Sequence, residues 1–178
     1  RAGALEEAAK NYPEKEFAIG DHAYEKQPEN VTSLVYEDNT SSYLAGLIAG
    51  KMTETNNVGF IGGMDIPVID TFKYGYMAGV RKANSNVQIQ DQFANSFTDQ
   101  AKGKAIANQM YGQCADIIFI AGGDVGTGAI EAAKEKNKYA IGVDRDQSDL
   151  APKNVLTSAI KRVDVGVYET VKDLLDGK

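Results

Sequence analysis

Cysteine and histidine are nearly missing from this chain of 178 residues. It has one of each, Cys114 and His22, and no tryptophan. That scarcity excludes a disulfide framework and a zinc site built from Cys and His. It also leaves a histidine-dependent catalytic triad only one candidate base. No apolar run approaches the ~20 residues of a membrane-spanning helix. Positive charge is in deficit, with 19 Lys and Arg against 25 Asp and Glu, for a net charge of −6. An acidic chain is a poor match for non-specific nucleic-acid binding, which depends on clustered Lys and Arg. No G-x-S-x-G occurs and no nucleophile lies near a base, so the sequence points to binding and not to catalysis. His22 falls in a polar loop, and Cys114 reads as a small buried hydrophobe between a helix and a strand.

Short apolar runs alternate with helical periods. Ala4, Leu5, Ala8 and Ala9 stripe a first helix, followed by strands at 17–19 and 31–36 and a helix at 42–52. Gly46 and Gly50 let that helix pack closely. A polar seam, Thr53 to Asn57, follows. Strands are then predicted at 58–61, 87–93, 116–120, 139–143 and 155–160, separated by helices. Asp65 is expected to cap the next helix, with Pro67 in its first turn, and Ser96 with Asp99 resembles a capping box. Val163, Val167, Val171 and Leu174 stripe a last helix. Runs such as Ile117-Ile118-Phe119-Ile120 lack alternation, as strands covered on both faces do. The pattern predicts an α/β fold with doubly wound parallel sheets in two lobes. The chain opens at Arg1 in a helical pattern and stops at a helix end, so it reads as a fragment of something longer.

Ligands of open α/β sheets bind beyond the carboxyl ends of the strands. The loops there hold Asp38; Gly62, Gly63, Met64 and Asp65; Phe93 to Phe97; Gly122 to Gly128; Asp144 to Asp146; and Lys161. The glycine run from Gly122 fits neither a dinucleotide fingerprint nor a Walker loop. Asp65, Asp124, Asp144 and Asp146 would repel a phosphate. The loops therefore suit a neutral ligand close to backbone, or are simply tight strand-to-helix turns. Asp144 either accepts hydrogen bonds from a vicinal diol or pairs with Arg145. Tyr36, Phe97 and Phe119 either stack on a planar base or pack in the core. Lys161 either points a cation at a ligand or is a surface lysine.

Five segments occur in a telling order: VGFIGGMDIP at 58–67, SFTDQAKGK at 96–104, ADIIF at 115–119, GVDRDQ at 142–147 and VLTSAIKR at 155–162. Together they resemble the basic membrane protein family of bacterial ABC-transporter substrate-binding lipoproteins, of the type that receives purine nucleosides. The resemblance implies a type I periplasmic-binding-protein fold whose two lobes close on a ligand. Residues 1–55 and 161–178 would form part of the first lobe, and residues 56–160 the second. It further implies a nucleoside of the inosine, guanosine and adenosine class, no cofactor, and an ABC permease as partner. The full-length protein would be lipid-anchored at the extracytoplasmic face of the membrane. In these terms Asp144 grips the ribose hydroxyls and Lys161 is the cleft lysine. Asp38 matches an acidic first-lobe position, Phe119 stacks on the base with Phe97 second, and Gly122 and Met64 lie against the ligand. The chain departs from the family pattern at Asp124 and in the tract from Glu37 to Thr40. The rival expectations are an effector-sensing domain of a regulator with the same fold and, further off, an enzyme acting on nucleosides.

Overall fold

The computed structural model describes residues 2–177. In chain order its elements are α1 (Ala2–Asn11), β1 (Phe17–Gly20), β2 (Val31–Leu34), α2 (Asp38–Met52), β3 (Asn57–Gly62), α3 (Pro67–Ala83), β4 (Gln88–Phe93), α4 (Gln100–Gly112), β5 (Ile117–Ala121), α5 (Asp124–Lys136), β6 (Tyr139–Asp144), β7 (Val155–Ile160) and α6 (Val163–Leu175). They form two compact units. One comprises the described part of residues 1–37 and 162–178, and the other is Asp38–Lys161. No described helix is long and apolar enough to cross a membrane.

In the smaller unit β1 and β2 pair in parallel, from Phe17 opposite Val31 to Gly20 opposite Leu34. The Asn30 side-chain amide braces this unit by donating to the carbonyls of Ala9, Tyr12 and Lys15. The expected stripe on α6 is present in sequence, yet Val163, Val167, Val171 and Leu174 are all exposed.

The larger unit is a five-stranded parallel sheet in the order β4-β3-β5-β6-β7. β3 and β5 are buried along their whole length. Alternate side chains enter separate cores on the two faces. One core joins Ile61, Ile118 and Ile120 to α4 and α5, and the other joins Val58, Phe60, Ile117, Phe119 and Ile141 to α2 and α3. This two-sided burial explains the unbroken apolar runs.

The helix pairs meet backbone to backbone. A Cβ at Gly46 would collide with the Tyr76 carbonyl, and one at Gly79 with the Tyr43 carbonyl. On the other face, Gly103 lies against the Val125 backbone and Gly128 against that of Gln100. This packing moves a boundary. α2 starts at Asp38, packs on α3, and belongs to the compact unit of the five-stranded sheet, whereas a division at residue 55 would have placed it with β1 and β2.

Three local expectations also change. Ile66 is the N-cap of α3 with no side-chain cap, so Asp65 does not serve there. Asp99, not Ser96, caps α4 by accepting from the Lys102 N–H, while the Ser96 hydroxyl accepts from the amides of Thr98 and Asp99. Cys114 is exposed, at a positive φ of 72°.

Gly79→Ala should destabilise the fold by about 3 kcal/mol, near the upper end of ordinary overpacking costs, because the added carbon meets backbone instead of a yielding side chain. Urea unfolding measures it. Tyr76 gives the opposite case. It is fully buried on α3, its hydroxyl has no hydrogen-bond partner, and burial drives its pKa far above the usual tyrosine range. Tyr76→Phe removes a desolvated orphan group and should raise stability by about 1 kcal/mol in the same assay.

Candidate functional site

Parallel strands end on one edge, so the loops after β3, β4, β5 and β6 share it. The chain leaves β3, adds β4 on one side, and returns to build β5 on the other. This is a topological switch point, where open α/β sheets leave a crevice. Glycines line it. The Gly63 amide donates to the Ala121 carbonyl at 2.9 Å, and a Cβ at Gly122 would lie 3.3 Å from the Gly63 nitrogen. Gly122 is buried at this edge, packed against Gly63 and Val125. Met64 follows Gly63 and is half-buried.

Phe97 is held over the same glycines. Its ring occupies the space a Gly63 side chain would need, and its carbonyl accepts the Asp124 N–H at 2.8 Å. Gly123 has φ +58°, and a Cβ there would crowd that carbonyl at 2.8 Å. The ring remains 39% exposed, so part of it is available at the edge.

Phe119 is in a different situation. It is fully buried between sheet and helices, with ring centroids 5.8 Å from Phe60, 6.2 Å from Phe72 and 5.2 Å from Tyr76. Its side chain projects from a sheet face short of the strand end and belongs to the core. Phe119 is buried out of reach of a ligand, and of the two expected aromatics only Phe97 is exposed at the edge. Tyr36 lies in the other unit, with its hydroxyl against Gly166.

Asp144 ends β6, is exposed, and has φ +66°. The Arg145 amide donates to the Val143 carbonyl at 2.8 Å, closing a tight three-residue turn around Asp144. A positive φ at the centre of such a turn is the rarer, strained form. Strained backbone of this kind concentrates at ligand sites. The Asp144 carbonyl accepts the Lys161 N–H at 2.8 Å, which ties the turn to the end of β7. Nearby, the Arg145 guanidinium donates to the Asp146 carbonyl and the Asp149 carboxylate. The Ser148 N–H holds the Asp146 carboxyl below the usual carboxylate range.

Asp38 and Lys161, read as loop residues that face a ligand, meet each other. Their side chains are 6% and 4% exposed and form an ion pair at 3.0 Å, with the Lys161 ammonium 4.9 Å from the centroid of the Phe72 ring. Asp38 is the first residue of α2 instead of a loop position, and Lys161 is buried and not on the surface. The pair joins the first and last residues of the larger unit. Its charge satisfies itself inside the protein, so neither group needs a ligand to compensate it. Among the described residues, no cluster of three or more His, Cys, Asp or Glu could hold a metal ion.

Two residues that sequence reasoning passed over complete this edge. Gln147 is buried, and its side-chain oxygen accepts the Val143 N–H at 2.9 Å. Its own N–H donates to the Ser158 hydroxyl at 3.1 Å. Gln147 sat within the GVDRDQ segment, but nothing in the sequence set it apart from a surface glutamine.

The chain matches, over residues 2–178, the family model described as ABC transporter substrate-binding protein PnrA-like. It is 42% identical to the ABC transporter nucleoside-binding protein BmpA of Lactococcus lactis subsp. cremoris, over 98% of this chain and 54% of that protein. It is 44% identical to the CD4+ T-cell-stimulating antigen of Listeria monocytogenes, over 93% of this chain and 51% of that one. The chain thus spans about half the length of the curated relatives it matches. Among solved structures, an ABC transporter solute-binding protein from Aeropyrum pernix superposes with TM-score 0.91 at 31% identity, covering 97% of this chain and 51% of that one. A Bacillus halodurans protein described as a transcriptional activator of the comK gene superposes with TM-score 0.83 at 27% identity, covering 95% and 58%.

Asp38→Ala should cost about 3–5 kcal/mol of stability, because it leaves Lys161 buried without its carboxylate. Replacing both, Asp38→Leu with Lys161→Met, should recover most of that loss. Urea unfolding of the single and double variants checks the sign, and a double variant as unstable as the single would contradict the coupling.

Proposed function

Because the chain belongs to the PnrA-like family of ABC transporter substrate-binding proteins, we propose that the whole protein binds a purine nucleoside and presents it to a membrane permease. One observation carries the ligand class. An exposed carboxylate on a strained strand-end turn, Asp144, shares the carboxyl edge of one sheet with an exposed aromatic ring, Phe97, and a glycine-lined crevice. A nucleoside presents three matching features: a ribose diol, a planar base and no charge. The carboxylate accepts hydrogen bonds from the diol, each worth about 1.5–3 kcal/mol where water is excluded. The ring stacks on the base. The acidic rim of Asp65, Asp124, Asp144 and Asp146 disfavours a phosphorylated ligand. BmpA of Lactococcus lactis, described as nucleoside-binding, supports this reading.

Lys161 and Asp38 enter it as the buried brace of the site, and Met64 as a neighbour of the ligand. The division of labour is that of a receptor. Ligand contacts favour a closed state by their differential affinity, and the permease responds to that state. In this reading the protein sits at the extracytoplasmic face of the membrane, held by a lipid anchor. The Bacillus halodurans neighbour makes an effector-sensing role the second reading. A nucleoside that binds the whole protein without promoting its association with a permease would favour that role.

Calorimetry of the whole protein with inosine, guanosine and adenosine tests the proposal. Heat of binding with at least one is expected, and no binding of any of them overturns the ligand class. Asp144→Ala should weaken that binding by roughly 10–100-fold, the value of about one charge-assisted hydrogen bond.

A further inference from the structure

The sheet forks at its carboxyl edge. β5 and β6 pair only from Ile117 opposite Tyr139 to Phe119 opposite Ile141. Beyond that point β5 runs on to Ala121 and β6 to Asp144, where β6 keeps only β7 as a partner. The Val143 amide, just past the fork, donates to the Gln147 side chain instead of to a strand. That side chain is buried, folds back from the loop after β6, and lies against Gly142 together with the Ser158 hydroxyl. A Cβ on Gly142 would fall 2.6 Å from the Gln147 oxygen and 2.7 Å from that of Ser158. Ser158 in turn accepts the Gln147 N–H.

The geometry points to Gln147 and Ser158 as positioning residues for Asp144. The Gln147 amide acts as a short substitute for a strand. It satisfies the Val143 N–H where β5 has diverged, and so holds open the fork between Gly122 and Asp144. It also fixes the residue from which the turn around Asp144 springs. The turn is anchored at three points: the Val143 N–H by Gln147, the Val143 carbonyl by the Arg145 N–H, and the Asp144 carbonyl by the Lys161 N–H. The second and third are main-chain bonds, and the first is the one made by a side chain. An apolar side chain at 147 would strand a buried amide, and the turn would relax toward ordinary φ. The consequence is a specificity function. Gln147 and Ser158 determine how well the site distinguishes a ligand that carries a vicinal diol from one that lacks it, without touching the ligand themselves. This rests on the nucleoside reading above.

Gln147→Met keeps the size of the side chain and removes the acceptor. Two measurements on the whole protein separate the claims. The first is hydrogen exchange at the Arg145 and Lys161 amides without ligand. Both should exchange about fivefold faster in the variant, the scale of one lost hydrogen bond, with helix and strand amides elsewhere unchanged. Unchanged exchange at both amides overturns the positioning role whatever the ligand proves to be. The second is the affinity ratio of inosine to 2′,3′-dideoxyinosine. The parent should favour inosine by about 10–100-fold, and Gln147→Met should reduce that preference to within about threefold while leaving the dideoxy affinity in place. A loss of both affinities in parallel indicates general damage to the fold and overturns the specificity role. Parent protein that binds neither compound, with the exchange result intact, overturns the nucleoside reading and with it the specificity role, and leaves the positioning role standing. Ser158→Ala, which removes the other half of the brace, is expected to give the same pattern and replaces Gln147→Met if that variant does not fold.

Discussion

Parallel strands cannot be joined by hairpins, and most of this molecule follows from that constraint. Each of the connections β3–α3–β4, β4–α4–β5 and β5–α5–β6 returns the chain across a face of the sheet, so every strand delivers its carboxyl end to the same edge. Both faces are then covered by helices, and the interior strands β3 and β5 become buried along their whole length. Chemistry is left to the edge, where turns replace strands and polar side chains reach water. The switch between β4 and β5 on either side of β3 falls at that edge, where Gly62-Gly63 and Gly122-Gly123 pack closely under Phe93 and Phe97.

The edge is firm because it is laced by main-chain bonds. Gly63 to Ala121, Ser96 to Gly63 and Asp124 to Phe97 bind the first three loops to one another. A separate set binds the Asp144 turn to the end of β7 through Lys161. The buried Asp38–Lys161 pair lies directly behind that second set. Buried ion pairs contribute little net stability, since desolvation offsets much of the attraction. This one joins the two ends of the larger unit, so its consequence lies in where those ends meet.

Much of this was legible in the sequence. Apolar runs flanked by glycine and helical stripes located every strand and helix to within a few residues, because those signals depend on local geometry and burial. Asp144 stood out because it closes an apolar strand. Phe119 was misread for a physical reason: a residue near a strand end and one at the edge look alike in sequence. Only the pleat tells whether the side chain points into a core or toward the loops. The Asp65 and Ser96 caps failed because cap preference is local, while the exact first turn of a helix is set by how the strand before it ends. The larger compact unit begins at Asp38 and not near residue 55, because the polar seam there is a turn inside that unit. The pairing of α2 with α3, which decides the boundary, rests on glycine contacts between distant segments.

The sequence by itself determined the class of fold, the lack of cysteine and histidine clusters, and the acidic, glycine-bearing character of the edge. These depend on composition and on neighbours along the chain. The tertiary structure alone decided which aromatic is exposed, that Asp38 and Lys161 satisfy each other, and that Gln147 stands in for a missing strand beside Asp144. Each of those is a contact between residues brought together by the sheet, or a choice of face made by its pleat. Spacing along the chain carries no record of either.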